Sequence, residues 1–466
     1  MTTYSSTSVE GEVAPSSSSA IFENDQNNDQ IDQSPLLGDS IDVEVESDCE
    51  DERVGTANFF SCTVNLANTI LGTGMLAMPA AIASVGLIIG SMLIVYAAVT
   101  SGLGLYFLSR SATHTFGRNS SFFAVSKLTY PSAALIFDTA IAIKCFGVAV
   151  SYLIIVGDLM PQVISGSLGD KFADEYSLLM DRRFWITIFM VVIIPLAFLK
   201  RLDSLRHTSL IALIAVFYLV LIVIYHYFGP DFKAPPKEKI HYVKFSTKFF
   251  TNLPIFIFAF TCHQNIFSIY NEHVDNSQAS INKVIFSAIG TTATIYQIIG
   301  VLGYLSFGDD VLPNVLSMYG TKAFVTIGRV AFVILILFSY PLQAHPARAC
   351  LDKIFTFTSH SKNGYSKLSS PDMSNTKFLI LTSGILISSY IIAILVSKLD
   401  LVLAFVGSTG STTVSFILPG TFYYKIHESD PWDKKKILAV FLAFYGLCVM
   451  AICLTLNITK VFSGNH

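Results

Sequence analysis

Apolar residues in this chain gather into long blocks, not into the alternation of a strand or the one-sided stripe of a surface helix. A bilayer core about 30 Å thick is crossed by about 20 apolar residues in a helix that rises about 1.5 Å per residue. Eleven blocks suit that task, with approximate limits 58–82, 86–109, 132–164, 184–200, 208–228, 248–267, 283–306, 323–345, 378–397, 401–422 and 437–459. Mostly short loops join them. The pattern predicts an all-α polytopic membrane protein with 11 transmembrane helices and a transmembrane domain over 58–460.

Two of these blocks carry residues that break helices. The first reads NLANTILGTGMLAMP from Asn65 to Pro79, with Gly72, Thr73 and Gly74 at mid-membrane. Glycine lowers the cost of leaving the helical well and proline removes a backbone donor, so an unwound turn is expected there. Irregular backbone persists at that depth only where it is buried in protein or lines a cavity. The sixth block, NLPIFIFAFTCHQNIFSIYNE from Asn252 to Glu272, repeats the signature with Pro254 and the polar run Thr261, Cys262, His263, Gln264 and Asn265. First and sixth blocks each open a set of five, leaving the eleventh as an addition. That arrangement predicts a 5+5 inverted repeat with discontinuous helices 1 and 6, as in secondary transporters. Free N–H groups and half-helix N-termini in such breaks suit an anionic carboxylate, and so an amino acid.

Charge separates the chain into two parts. Residues 1–58 hold fourteen Asp and Glu against the single Arg53, a net of −13, while the remainder holds 29 Lys and Arg against 19 Asp and Glu, a net of +10. Rich in Ser, Asn and Gln and poor in aromatics, 1–57 is expected to be a disordered tail. No basic stretch followed by a short apolar one opens the chain, so no signal peptide is expected and the tail is expected to be cytosolic. Loops then assigned to the cytosol hold 16 Lys and Arg against 11 on the other side, the bias of a positive-inside protein. Eleven spans put the C-terminus in the lumen, where Asn457 to Thr459 forms a glycosylation sequon close to the membrane. In the tail, Asp32 lies four residues before Leu36 and Leu37, which either forms an acidic dileucine address for a sorting adaptor or is accidental. The seven cysteines have no paired spacing, and neither a disulfide nor a metal site is assigned.

Ionisable residues inside spans are expensive and therefore informative. Lys144 falls about twelve residues into the third span, and Asp138 is too far round the helix to pair with it. It faces a cavity or other helices, as a coupling group or as part of an interhelical ion pair. His263 lies in the sixth-span break, where it either titrates with transport or supports the turn as a neutral hydrogen-bonding group. Arg329 is expected to snorkel to the interface, Arg348 beside His345 to anchor the cytosolic end, and Asp158 to cap or gate the lumenal end. The run GSTGSTT, Gly407 to Thr413, reads as a small face packed against the first helix.

Six stretches together carry a family resemblance. TILGTGMLAMP, AIAIKCFGVAVSYLIIVGDLMP, FAFTCHQNIFSIYNE, GYLSFGDDVLPNVL, FSYPLQAHPAR and FVGSTGSTTVSFILPGTFYY occur in order from about residue 56 to the last span. The chain resembles the amino acid/auxin permease family of the amino acid-polyamine-organocation superfamily, and within it the fungal vacuolar amino acid transporters. The resemblance implies substrate held between the two broken helices, by Ile70, Gly72, Thr73 and Gly74 in one and Phe258, Ala259, Phe260 and Thr261 in the other. It implies coupling to a proton or to sodium; in sodium-coupled members the ion site uses residues matching Asn68 and Ser339 here, the latter two before Pro341. His263 and Lys144 complete the coupling candidates, with a proton preferred over sodium and no cofactor expected. Similarity of the third-span motif to the export-type vacuolar branch implies export from vacuole lumen to cytosol. Import by proton antiport, or an amino acid sensor with little flux, are the alternatives. No ring-forming filter, voltage-sensor repeat, HExxH, His-rich box or GxSxG is present, so neither a channel nor a membrane enzyme is expected, nor is nucleic-acid binding.

Overall fold

The computed structural model describes residues 55–463, apart from 116, 132, 170–174, 200–207, 231, 245 and 361–372. The acidic segment, with Asp32, Leu36 and Leu37, lies outside them. The described residues form helices joined by loops, with no strand among them beyond one isolated bridge between Ala57 and His273. In chain order the helices are α1 (Phe59–Ile70), α2 (Gly74–Val85), α3 (Leu87–Ala112), the short α4 (Phe122–Leu128), α5 (Ala133–Leu168), α6 (Arg182–Ala197) and α7 (Thr208–Phe228). They continue as α8 (Lys248–Ala259), α9 (Ile266–Glu272), α10 (Gln278–Phe307), α11 (Ala323–His360), α12 (Asn375–Leu395), α13 (Leu399–Val406), α14 (Leu418–Ile426) and α15 (Lys434–Phe462).

Among the described residues eight helices are long and apolar enough to cross a bilayer, and α1 with α2, bent by 55°, makes a ninth span. α6 and the apolar part of α7 are shorter, at 16 residues and Ala212–Phe228. Burial sorts the spans into centre and rim. The apolar stretch of α5 is 89 % buried and that of α8–α9 83 %, against 33 % for α12 and α15. The centre therefore holds the broken helices and α5, and α12 and α15 present most of their surface to lipid.

Capping explains where several helices begin. Asn58 accepts from Ser61 N at 2.8 Å ahead of α1, and Asp433 accepts from Lys436 N at 2.7 Å ahead of α15. At the end of the bundle where α1 starts, which we call the near end, a backbone clip joins the two inner half-helices. Ala57 N donates to Glu272 O at 2.8 Å and Val274 N to Ala57 O at 3.0 Å. The buried His273 ring adds contacts to Ala57 O and to Ser280 Oγ, at 3.0 and 2.9 Å. Arg118 donates to the carbonyls of Asn271, His273 and Val274, satisfying orphan groups at the end of α9. At the far end the strap 239–244 closes over the α2–α3 turn, with Leu87 N on His241 O and Lys244 N on Val85 O at 2.9 and 2.8 Å. Gly86 makes that turn at φ 92°, and a Cβ there would lie 2.8 Å from Tyr242 O.

Three expectations change. Arg329 does not reach the interface: it is fully buried and donates to Leu316 O and Tyr319 O, because the 3₁₀ turn Val315–Ser317 and the residues after it leave carbonyls without helical partners. Arg348 is buried too, over the Phe378 ring at 4.1 Å and donating to Ala197 O and Thr382 Oγ1, so it ties α6, α11 and α12 together. Asn457 points inward and donates to Cys453 O at 2.9 Å, within α15, where no glycan could be carried.

Candidate functional site

The two breaks meet at the centre of the bundle. α1 ends at Ile70, and α2 begins with Met75 N on Gly72 O and Leu76 N on Thr73 O. Among the described residues no backbone acceptor meets the N–H of Gly72 or Thr73. Gly72 N–H is taken up by the Tyr296 hydroxyl, which leaves Thr73 N–H as the free donor at the N-terminus of α2, where the helix dipole favours an anion. A Cβ on Gly72 would meet nothing closer than Ile70 O at 4.0 Å, so this position faces open space. Gly74 is the opposite case: a Cβ there would lie 2.9 Å from Ala259 Cα and Cβ, so its lack of a side chain lets α2 press against α8.

The second break runs from Phe260 through the 3₁₀ turn His263–Asn265. Ser101 on α3 donates to Phe260 O at 2.8 Å, and Thr261 Oγ1 donates back to Ile257 O at 2.8 Å. His263 is fully buried, with Nε2 3.1 Å from Ser101 O and Nδ1 3.0 Å from Ser415 Oγ. A carbonyl only accepts, so Nε2 carries a hydrogen, while Nδ1 faces the Ser415 hydroxyl, which also lies 3.3 Å from Thr261 Oγ1. A Cβ on Gly104 would lie 2.7 Å from His263 Nε2, so glycine is what lets α3 approach the ring. Asn265 Nδ2 donates to Thr69 Oγ1 at 2.7 Å, linking the inner halves α1 and α9 a second time.

A cavity of about 1110 Å³ ends at the first break. Asn68, Gly72, Thr73, Gln264 and Ser339 line it, and the exposed Phe60, Glu272 and Lys353 mark its mouth at the near end. Two lining acceptors, Asn68 Oδ1 and Gln264 Oε1, are buried with no hydrogen-bond partner. The Tyr152 hydroxyl lies beside Ser339 and Gln343 on the opposite wall. Nearer the mouth, Asp138 pairs with Lys353 at 3.8 Å and not with Lys144. At the far end Asp158 pairs with Arg182 at 3.4 Å, and at the first break the Thr73 and Ser151 hydroxyls meet at 3.3 Å.

The expected residues fall into three groups. Asn68, Gly72, Thr73 and Ser339 line the cavity together. Ile70, Gly74, Phe258, Ala259, Phe260 and Thr261 are buried within the packed breaks and do not line it; from the second break the cavity is lined by Gln264 and Asn265. Lys144 and His263 also sit off the cavity. Lys144 is 5 % exposed, with the Cys145 and Cys262 thiols as its electrostatic neighbours. Gly410 packs on its backbone and on Ala140 O, so the GSTGSTT run, wound as π-helical turns, presses on α5 and, through Gly407, on Pro254 of α8.

Sequence reasoning misses Tyr296 of α10. Its fully buried hydroxyl lies 2.5 Å from Ile70 O and 3.0 Å from Ala259 O, the carbonyls of the last residue in the first half of each broken helix, and accepts from the Gly72 N–H. Its neighbours in sequence, TIYQIIG, carry no signal that separates it from a lipid-facing aromatic.

A membrane-spanning bundle whose cavity runs from one end to two broken helices is built as a carrier. The chain belongs to the transmembrane amino acid transporter protein family, which it matches over residues 55–463. It is 45 % identical over 423 residues to vacuolar amino acid transporter 5 of Schizosaccharomyces pombe, covering 88 % of this chain and 97 % of that one. It is 36 % identical over 446 residues to vacuolar amino acid transporter 6 of Saccharomyces cerevisiae, covering 86 % and 98 %. Among solved structures, the crystal structure of MhsT in complex with L-phenylalanine superposes with a TM-score of 0.53 at 13 % identity, covering 84 % of this chain and 97 % of the other. That likeness is one of fold.

Proposed function

We propose that this protein is a secondary active amino acid carrier of the vacuolar membrane, coupled to protons and moving its substrate from lumen to cytosol. The observation that carries the reading is the pairing of opposite chemistry across one cavity. The free N–H of Thr73 at the N-terminus of α2 suits a carboxylate, and the unpartnered Asn68 Oδ1 and Gln264 Oε1 suit an α-ammonium. A zwitterion satisfies both. The names of the fungal relatives support the vacuolar membrane.

In this reading the near end is cytosolic, the N-terminus lies in the cytosol and the C-terminus in the lumen. The short α6 and α7 count as spans, giving eleven, arranged as a 5+5 inverted repeat followed by α15. Sodium coupling would use Asn68 and Ser339; proton coupling needs a titratable group against the breaks. Lys144 is that group: no hydrogen bond or ion pair to it occurs among the described residues, and it lies between the broken sixth span and the π-helical tenth. His263, sealed between Ser101 and Ser415, supports the turn. Flux of labelled amino acids into vesicles holding purified protein, under independently varied proton and sodium gradients, tests the proposal. Accumulation that follows the proton gradient and ignores sodium is expected; binding without flux under any gradient would overturn it in favour of a sensor.

A further inference from the structure

We propose that Tyr296 is a positioning residue whose O–H fills the point where the two broken helices would otherwise bind a monovalent cation. This rests on the carrier reading above. α1 ends at Ile70 and α8 at Ala259, so each outgoing half-helix brings its last carbonyls, and the negative end of its dipole, to one place at mid-membrane. Ile70 O and Ala259 O both lie within hydrogen-bond reach of Tyr296 Oη. Carbonyl oxygens that converge away from water require a positive partner, which unwound half-helices of carriers commonly find in a coupling ion. Here a phenol from a third helix supplies it. The ring is fixed edge-on against Phe260, with centroids 5.1 Å apart, which sets the hydroxyl between the two acceptors.

The point is separate from Asn68 and Ser339, because Tyr296 does not line the cavity and those residues do. One hydrogen serves two carbonyls, so when α1 tilts away from α8 the donor remains engaged with Ala259 O. The staple therefore holds both breaks in register in one state and keeps the second break formed in the other.

Tyr296→Phe keeps the ring and removes the donor. In proteoliposomes the variant is expected to lose flux by about tenfold or more, the usual consequence of leaving buried acceptors unpaired. Sodium is expected to restore part of that flux, since the two carbonyls are then free to take a cation, while the wild type ignores sodium. 4-Aminophenylalanine at position 296 keeps an N–H donor on the same ring and is expected to transport without sodium. Wild-type flux in the Phe variant overturns the proposal, as does a loss that neither sodium nor the amino analogue lifts. Melting of the purified wild type and Y296F with and without sodium reads the same point without flux, so an inactive wild type would sink the carrier reading alone. Sodium stabilisation confined to the variant supports the staple, and an equal response in both overturns it. If the Phe variant does not accumulate, the wild type decides: sodium-stimulated flux that survives Asn68→Ala overturns the proposal, and indifference to sodium supports it.

Discussion

A single methyl group at Gly74 tests the contact on which both breaks depend. In Gly74→Ala the new Cβ would start 2.9 Å from Ala259 Cα and Cβ, and one of those atoms is backbone that cannot rotate away. Carbon atoms settle at about 3.5–4.0 Å, so α2 and α8 must separate by about 0.6–1.1 Å. Overpacking of that kind costs about 1–3 kcal/mol. Ala259 O also accepts from the Tyr296 hydroxyl at 3.0 Å, and loss of that bond as α8 shifts would add about 0.5–1.5 kcal/mol. Together these predict a lower melting temperature and, at about 1.4 kcal/mol per tenfold, transport reduced by at least tenfold. Gly72→Ala is the control, because its Cβ enters open space. Both variants would be measured for melting and for initial uptake rate in proteoliposomes. Wild-type kinetics in Gly74→Ala, or an equal loss in Gly72→Ala, would refute the packing argument.

Other substitutions separate the roles assigned to the cavity and its surroundings. Gly72→Leu is expected to abolish uptake while melting close to the wild type, since the side chain projects into the cavity; normal uptake kinetics would remove the first break from the substrate path. Asn68→Leu removes an acceptor suited to an ammonium and should raise KM by about 10- to 100-fold, with kcat little changed, from the loss of a charged hydrogen bond of about 1.5–3 kcal/mol; an unchanged KM counts against zwitterion recognition there. Lys144→Gln is expected to leave downhill amino acid exchange while ending accumulation driven by a proton gradient, whereas His263→Asn should lower the melting temperature and leave that coupling in place; the reverse result would exchange their roles. At the near end, partial desolvation of an otherwise exposed ring and then the neighbouring His427 ring, 5.3 Å away edge-on, hold His114 below its usual pKa of 6.5. The unfolded chain therefore binds more protons just below pH 6.5, stability falls as pH drops through that range, and His114→Asn should flatten the melting temperature against pH.

Much of the architecture is legible because membrane burial leaves a one-dimensional trace. Long apolar blocks mark the spans, and the glycines and proline of TILGTGMLAMP mark the first break because no regular helix needs them together. The second break shows in the polar run from Thr261 to Asn265 for the same reason. Which side of a break faces the cavity is not legible: Phe258 to Thr261 end up in the packed interior, and Gln264 takes their place on the cavity wall. That depends on the rotation of α8 and α9 against their neighbours, which no local pattern encodes. Arg329 and Arg348 were expected near interfaces and instead satisfy carbonyls of other segments, because a guanidinium follows orphan acceptors when they are closer than water. Tyr296 escapes altogether, since its meaning lies in the crossing of three helices distant in sequence.

The clip between Ala57 and His273 has a mechanical consequence. The two inner half-helices, α1 and α9, share a main-chain fastening at the first described residues of the chain. A displacement of residue 57 is thus delivered to α1 and α9 at once, through main-chain hydrogen bonds and not through a yielding side chain. The near ends of the two broken spans are therefore loaded as a pair, and neither can swing outward without the other.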